Sequence, residues 1–286
     1  MNQPAMEPAT EALDYVQGRL NFQAVTAERA VTYRYAPPPG TPDRSPRYAA
    51  HMVPVYNARA ICGALSLDRE GFRLVHHTSA VSNFYDEAEV KAAYYPEAAQ
   101  VIQQITGALR VLVFDHIVRY APLAARGENK AKAPAKAAHN DYTAGSGRKR
   151  VRDLLRDEAE VLLRNRFAVI NLWQPTRRPV LESPLAVCDA RTIAMSDFIE
   201  IEQRYPDRIG EIYGVAFNPN QRWFYFPKMG TDEALLLKCF DSDDRVARFT
   251  AHTAFDDPTS RPDAPPRESI EVRALVFFAA DASHDR

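Results

Sequence analysis

Ala138-His139-Asn140-Asp141-Tyr142-Thr143 sets an imidazole and a carboxylate two residues apart. On an extended strand residues i and i+2 point to one face, so His139 and Asp141 converge on a single point. A metal there needs a third ligand, and His252, within Ala251-His252-Thr253-Ala254-Phe255, is the best candidate. Two histidines and one carboxylate leave coordination positions open, the arrangement by which non-haem Fe(II) sites admit a cosubstrate and dioxygen. A structural zinc is disfavoured, because such sites close four ligands and lean on cysteine. Further on, Arg267-x-Ser269 opens a β-like run from Ile270 to Phe278, so both side chains share a face. A guanidinium fork with a hydroxyl donor beside it suits the distal carboxylate of 2-oxoglutarate. Arg261 competes for that role from the loop before it, and Arg273 shares the parity of Arg267 as a weaker second candidate.

His-x-Asp alone is a weak signal in a chain with seven histidines. The ordered set is more specific, and its neighbours add to it: Ile170 to Pro175 (INLWQP), Pro184 to Asp189 (PLAVCD), Asn218 to Met229 (NPNQRWFYFPKM), Asp232-Glu233, Leu237 to Ser242 (LKCFDS) and Arg267 to Arg273 (RESIEVR). Together these resemble the Fe(II)/2-oxoglutarate-dependent dioxygenases. More narrowly, they resemble the family that includes the cephamycin methoxylation accessory protein and fungal gibberellin desaturase. The resemblance covers the second half of the chain well and the first half loosely. It implies a mainly β fold with flanking helices, a double-stranded β-helix of the jelly-roll, cupin-like kind, with the metal inside its open end. It also implies Fe(II) on His139, Asp141 and His252, 2-oxoglutarate held by Arg267 and Ser269, and dioxygen at the open position. The expected activity is hydroxylation, desaturation or another oxidation of a small organic substrate, a secondary metabolite by the same resemblance, with 2-oxoglutarate going to succinate. Gln174 stands where that family more commonly has arginine. The alternative from another class is a non-catalytic accessory subunit of a methyltransferase or oxygenase pair.

Asn171 and Trp173 alternate on a strand that would line the pocket. Asn171 is read as a cosubstrate-positioning residue and Trp173 as a substrate contact, against the ordinary reading of a core tryptophan beside a hydrogen-bonded asparagine. His116, assigned to one strand face with Leu112, Phe114 and Val118, is a satisfied core histidine or a further substrate contact. Lys238 on an apolar run needs a buried partner, for which Asp189 is a candidate.

With 286 residues and 46% of them hydrophobic, the chain can bury a substantial core. We expect an N-terminal arm over residues 1–20 and one oxygenase domain over 21–286. A net charge of −1 gives no field for nucleic acid or anionic lipid, so the expected partner is a small molecule and the expected state a monomer or homo-oligomer. Three scattered cysteines without Cys-x-x-Cys spacing fit a reducing compartment. No apolar run is long enough for a membrane span, and the expected location is cytoplasmic.

The periodicity predicts strands over 30–36, 51–59, 109–120, 167–173, 208–217, 222–229, 234–240 and 270–278, and a hairpin over 65–75. It predicts helices from Asp86, interrupted at Pro96, then over 149–164 and 197–204. The alanine- and lysine-rich stretch 121–138 reads as a linker that delivers His139. Many short strands without a strand, Gly-rich turn and helix favour a jelly roll or barrel over a dinucleotide fold.

Overall fold

The computed structural model describes residues 13–128 and 130–280. Fourteen strands form two sheets: β1 (Tyr15–Gln23), β2 (Ala30–Tyr33), β3 (Tyr48–Asn57), β4 (Phe72–His76), β5 (Arg110–Tyr120), β6 (His139–Asn140), β7 (Phe167–Pro175), β8 (Leu185–Cys188), β9 (Phe198–Arg204), β10 (Ile209–Val215), β11 (Trp223–Tyr225), β12 (Glu233–Asp241), β13 (His252–Ala254) and β14 (Glu268–Phe277). The helices are α1 (Glu87–Glu89), continued by a π-helical turn (Val90–Tyr94) into α2 (Tyr95–Thr106), then α3 (Ala121–Ala125) and α4 (Ala144–Leu162).

The larger sheet runs β1-β3-β11-β8-β13-β6-β10-β9-β2 and the smaller β4-β12-β7-β14-β5. All pairs are antiparallel except β3 with β11 and β2 with β9. This is the mostly β, two-sheet jelly-roll arrangement expected from the sequence.

Alternation decides which residues meet between the sheets. On β7 and β14, Phe167, Val169, Trp173, Leu275 and Phe277 pack into the interior with Val187, Phe224 and Leu237. Their neighbours Ala168, Ile170, Leu172, Ile270, Val272, Ala274 and Val276 turn outward against Tyr94, Ala98 and Ile102 of the helical layer. β7 is therefore buried along its whole length on both faces, which is why FAVINLWQP reads as a continuous apolar run. A third cluster, with Leu20, Phe22, Val55, Cys188 and Trp223, covers the other face of the larger sheet.

Several elements differ from the sequence expectation. Residues 198–204 are strand β9, not a helix: Ile201 and Gln203 are buried while Glu200 is exposed and Glu202 half-buried, a period of two. The boundary placed at residue 20 falls inside β1, which pairs with β3 from Tyr15 to Gln23; residues 1–12 lie outside the described residues. No hairpin forms over 65–75. Residues 67–70 make a turn into β4, whose partner is the distant β12.

Asp86 caps the first helix by accepting from the Ala88 and Glu89 amides. Glu89 does not reciprocate, since its carboxylate takes the Ser82 and Asn83 amides. The helix passes through Pro96, because the wide π-helical turn lies directly before it and absorbs the missing N–H. α4 begins five residues earlier than expected, where Thr143 and Ser146 form a capping box, and it kinks at Arg156, with φ of 29°. The 121–138 stretch holds α3 and is tied down by bridges of Lys132 to Arg119 and Ala137 to Asn21. No helix among the described residues is long and apolar enough to cross a membrane.

Candidate metal centre

β6 lies between β10 and β13, with His139 opposite both Gly214 and His252. That single pairing brings the two distant histidines side by side, with ring centroids 4.5 Å apart. The strand ends at Asn140, yet alternation persists one residue further. Asn140 turns away to donate to the Tyr142 and Cys239 carbonyls, and Asp141 returns to the face of His139. One ligand atom from each of His139, Asp141 and His252 lies within 4.8 Å of the others.

Both imidazoles are oriented by backbone. His139 Nδ1 is 2.8 Å from the Ala137 carbonyl and His252 Nδ1 is 3.0 Å from the Thr250 carbonyl. A carbonyl only accepts, so each Nδ1 carries the proton and each Nε2 offers its lone pair to the shared point. Thr250 is itself fixed, its hydroxyl donating to the Gly71 carbonyl at 2.7 Å. Gly71 has φ of +87°, and a Cβ there would stand 2.2 Å from Thr250 Oγ1, so the close approach requires glycine.

The Asp141 carboxylate is divided between two tasks. Oδ2 accepts from Asn171 Nδ2 at 2.8 Å and from Arg273 Nε at 2.9 Å, while Oδ1 faces His139 Nε2 at 3.5 Å. Burial works to raise the Asp141 pKa, but Arg273 foremost, with both histidines, holds it well below the usual carboxylate range. Burial and the neighbouring His139 lower that of His252, which favours the neutral, ligating form. Arg273 also reaches Asp115 at 2.8 Å and Glu271 at 3.1 Å, and so compensates three carboxylates. Sequence reasoning weighed Arg273 only for the cosubstrate; its parity with Arg267 was the available signal of an inward side chain.

Arg267 lies immediately before β14 and is buried, as is Ser269. Its Nη1 donates to the Ser183 carbonyl at 2.6 Å, and its guanidinium lies 5.4 Å from the Trp173 ring centroid. Burial, helped by the charge of Arg119, pushes its pKa down to about 9. Arg267 Nε, Ser269 Oγ and Asn171 Oδ1 are buried without a hydrogen-bond partner among the described residues. Each such atom costs about 1–3 kcal/mol unless something satisfies it. An unsatisfied donor on a buried guanidinium together with the unsatisfied Ser269 hydroxyl fits a carboxylate, and the donor set of two imidazoles and one carboxylate fits Fe(II) with open positions. Arg261, by contrast, is exposed and paired with Asp263 at 2.7 Å.

Of the other residues singled out, Trp173 is buried beneath Arg267 and packs with Val180, Leu185 and Met229, away from the open cleft. His116 does not share a face with Leu112 and Phe114. A bulge between Arg273 and Ala274 of β14 and their partners Asp115 and Val113 leaves Phe114 as the extra residue and reverses parity beyond it. His116 Nδ1 instead meets Tyr95 Oη at 3.0 Å, at the rim of the cleft. Gln174 faces the helical layer, accepting from Tyr94 Oη and donating to the His77 and Thr231 carbonyls. Lys238 pairs with Asp68 and with Asp241, the latter at 2.9 Å, whereas Asp189 pairs with Arg191.

A cleft of about 1130 Å³ opens onto His139, Asp141 and Arg273, walled by β5, residues 130–138 and β10. Residues 20–277 match the model of the oxidoreductase/YMDC permease-like domain. The Fe(II)/2-oxoglutarate-dependent dioxygenase nvfI of Aspergillus novofumigatus (strain IBT 16806) is 33% identical over 256 residues, 86% of this chain and 90% of that protein. This chain belongs to the Fe(II)/2-oxoglutarate-dependent dioxygenases. The hydroxylase/desaturase efuI of Hormonema carpetanum is 35% identical over 255 residues, 81% of this chain and 85% of its own length. The solved structure of the iron and alpha-ketoglutarate-dependent endoperoxidase NvfI superposes with a TM-score of 0.83 at 29% identity, covering 93% of this chain and 98% of that one. The dioxygenase is thus an enzyme that depends on Fe(II), 2-oxoglutarate and dioxygen and acts on a small molecule. Relatives with such activities favour turnover over the accessory-subunit alternative.

Proposed function

We propose that His139, Asp141 and His252 are the iron ligands of this oxygenase, that Arg267 and Ser269 hold the distal carboxylate of 2-oxoglutarate, and that Asn171 aligns Asp141 beside them. The observation that carries this reading is the coincidence of a three-residue ligand cluster with unsatisfied donors on Arg267 and Ser269. Held there, iron with 2-oxoglutarate would supply a two-electron oxidation of the substrate, with dioxygen consumed as 2-oxoglutarate is decarboxylated to succinate and carbon dioxide. The chain supplies position and dryness. The Ala137 and Thr250 carbonyls fix the two rings. Arg273 and Asn171 engage Oδ2, so Oδ1 is the Asp141 oxygen that would be free to hold the metal.

Trp173 forms a wall of the cosubstrate site, and the substrate occupies the cleft beyond His139 and Asp141. His116, hydrogen-bonded to Tyr95 at the rim of the same cleft, is a further substrate contact. We place residues 21–280, with β1 added, in one oxygenase domain that acts in the cytoplasm on a secondary metabolite, as a monomer or homo-oligomer that binds neither nucleic acid nor membrane. The test is substrate-independent succinate formation from 2-oxoglutarate with Fe(II) under air, in wild type and in Ser269→Ala. Ser269→Ala is expected to raise the 2-oxoglutarate requirement about tenfold with little change in the iron requirement. An unchanged requirement would remove Ser269 from the site.

A further inference from the structure

The cleft is charged unlike the rest of the molecule. Ten Arg and Lys line it against five Asp and Glu, in a chain whose net charge is −1. Each of those acids already has a cation: Asp115 and Asp141 have Arg273, Glu87 has Lys91, Asp153 has Lys149 and Glu211 has Arg29. Among the described residues six of the ten lining cations, Arg34, Arg119, Lys130, Lys132, Arg150 and Arg208, form no ion pair, so the surplus in the cleft is positive.

Arg119 is the inner member of that group. After the bulge at Phe114, Asp115, Ile117 and Arg119 take the parity that faces inward with Arg273, Glu271 and Ser269, their partners on β14. Arg119 is withdrawn from most of the solvent, and burial lowers its pKa. Among the described residues its one side-chain hydrogen bond goes to the Ala133 carbonyl at 2.8 Å. The bridge between Arg119 and Lys132, with the Lys132 amide 2.9 Å from the Val118 carbonyl, fixes the lysine beside it. Burial, then Arg34 and Arg119, lower the Lys132 pKa against the pull of Asp115, while Glu271 and Asp141 act on Arg119 without forming an ion pair with it. A half-buried guanidinium whose side chain is bonded to one neutral carbonyl keeps donors for an anion, and the exposed Lys132 and Arg34 add field. Tyr48, Phe114 and Tyr142 also line the cleft and add apolar area to it.

We infer that the substrate is an organic carboxylate, its anionic group held by Arg119 and Lys132 with Arg34 at the mouth, and its apolar body laid along the aromatic wall toward His139 and Asp141. The inference rests on the oxygenase reading of the metal centre. Guanidinium gives the directed, bidentate contact, and the lysine and outer arginine supply field.

The test is calorimetric titration of 1-naphthoate and of neutral 1-naphthalenemethanol into protein loaded with Mn(II) and 2-oxoglutarate. 1-Naphthoate is expected to bind at least ten times more tightly than the alcohol. Arg119→Gln should abolish that preference and the exposed Lys132→Gln should reduce it several-fold, both retaining wild-type affinity for 2-oxoglutarate. Equal binding of the two probes, or a preference that survives in both variants, overturns the inference. So does competition between 1-naphthoate and 2-oxoglutarate, or loss of 2-oxoglutarate affinity in Arg119→Gln, because either assigns Arg119 to the cosubstrate. If wild type binds no 2-oxoglutarate with Mn(II), the oxygenase site itself fails; the naphthoate preference is then read on metal-free protein, where the same two variants decide it.

Discussion

Replacing Arg267 by lysine separates charge from geometry at the proposed cosubstrate anchor. The guanidinium is buried, spends Nη1 on the Ser183 carbonyl and keeps Nε unsatisfied beside the equally unsatisfied Ser269 hydroxyl. Lysine cannot hold the carbonyl and also offer a planar fork to a carboxylate. Losing one charge-assisted hydrogen bond costs about 1.5–3 kcal/mol, roughly ten- to hundred-fold in 2-oxoglutarate affinity. A second effect adds to it. Burial already pulls the arginine down to about 9, and a free lysine starts about 2 pH units lower than arginine, so the replacement loses its charge near neutrality. A cation whose pKa is depressed is present below that pKa and lost above it. The variant should therefore bind 2-oxoglutarate better at pH 6.5 than at pH 8.5, while wild type stays flat. The assay is the 2-oxoglutarate dependence of succinate formation at saturating Fe(II), at both pH values, with Arg261→Lys alongside. Arg261, exposed and paired with Asp263, should change nothing. A larger effect in Arg261→Lys would mean the anchor is misplaced; no effect in either would refute a dicarboxylate at Arg267.

His139→Ala, Asp141→Ala and His252→Ala should each abolish iron binding with the far-ultraviolet circular dichroism unchanged; a variant that keeps full iron affinity removes that residue from the ligand set. Asn171→Ala, which frees Oδ2 of Asp141 from one of its two donors, should weaken Mn(II) binding roughly 10–100-fold in equilibrium dialysis, and wild-type affinity would dismiss its aligning role. His77 is buried and its pKa is lowered, chiefly by burial, so the unfolded chain takes up a proton first as pH falls below about 6.5 and stability declines there. Urea midpoints of wild type and His77→Gln between pH 7.5 and 5.5 should show a shallower decline in the variant; parallel curves would contradict it.

How much of this could be read from the chain varied with how local the cause was. His139 and Asp141 are two residues apart, and alternation alone aims them together. His252 could be named as the third ligand but not placed, because only the β6–β13 pairing makes it their neighbour. Phe198–Arg204 contains enough glutamate and isoleucine to suggest a helix, but it earns its place as a strand by pairing with β2 and β10. The inward turn of Arg119 and the outward turn of His116 follow from one extra residue at Phe114, and a bulge is set by the partner strand rather than by the sequence that carries it. Lys238 announced a buried partner, yet which aspartates supply it depends on the fold: Asp241 is on the same strand, and Asp68 is brought in by the turn before β4.

The claim that joins the ligand cluster to the two unsatisfied donors is tested most directly by anaerobic titration of the protein with Fe(II) and 2-oxoglutarate, following the visible charge-transfer band of the iron chelate. Wild type is expected to develop the band with one equivalent of each, His139→Ala to show none, and Arg267→Lys to reach the same amplitude only at ten- to hundred-fold more 2-oxoglutarate. A wild-type protein that gives no band, or a band that His139→Ala leaves intact, would contradict the account.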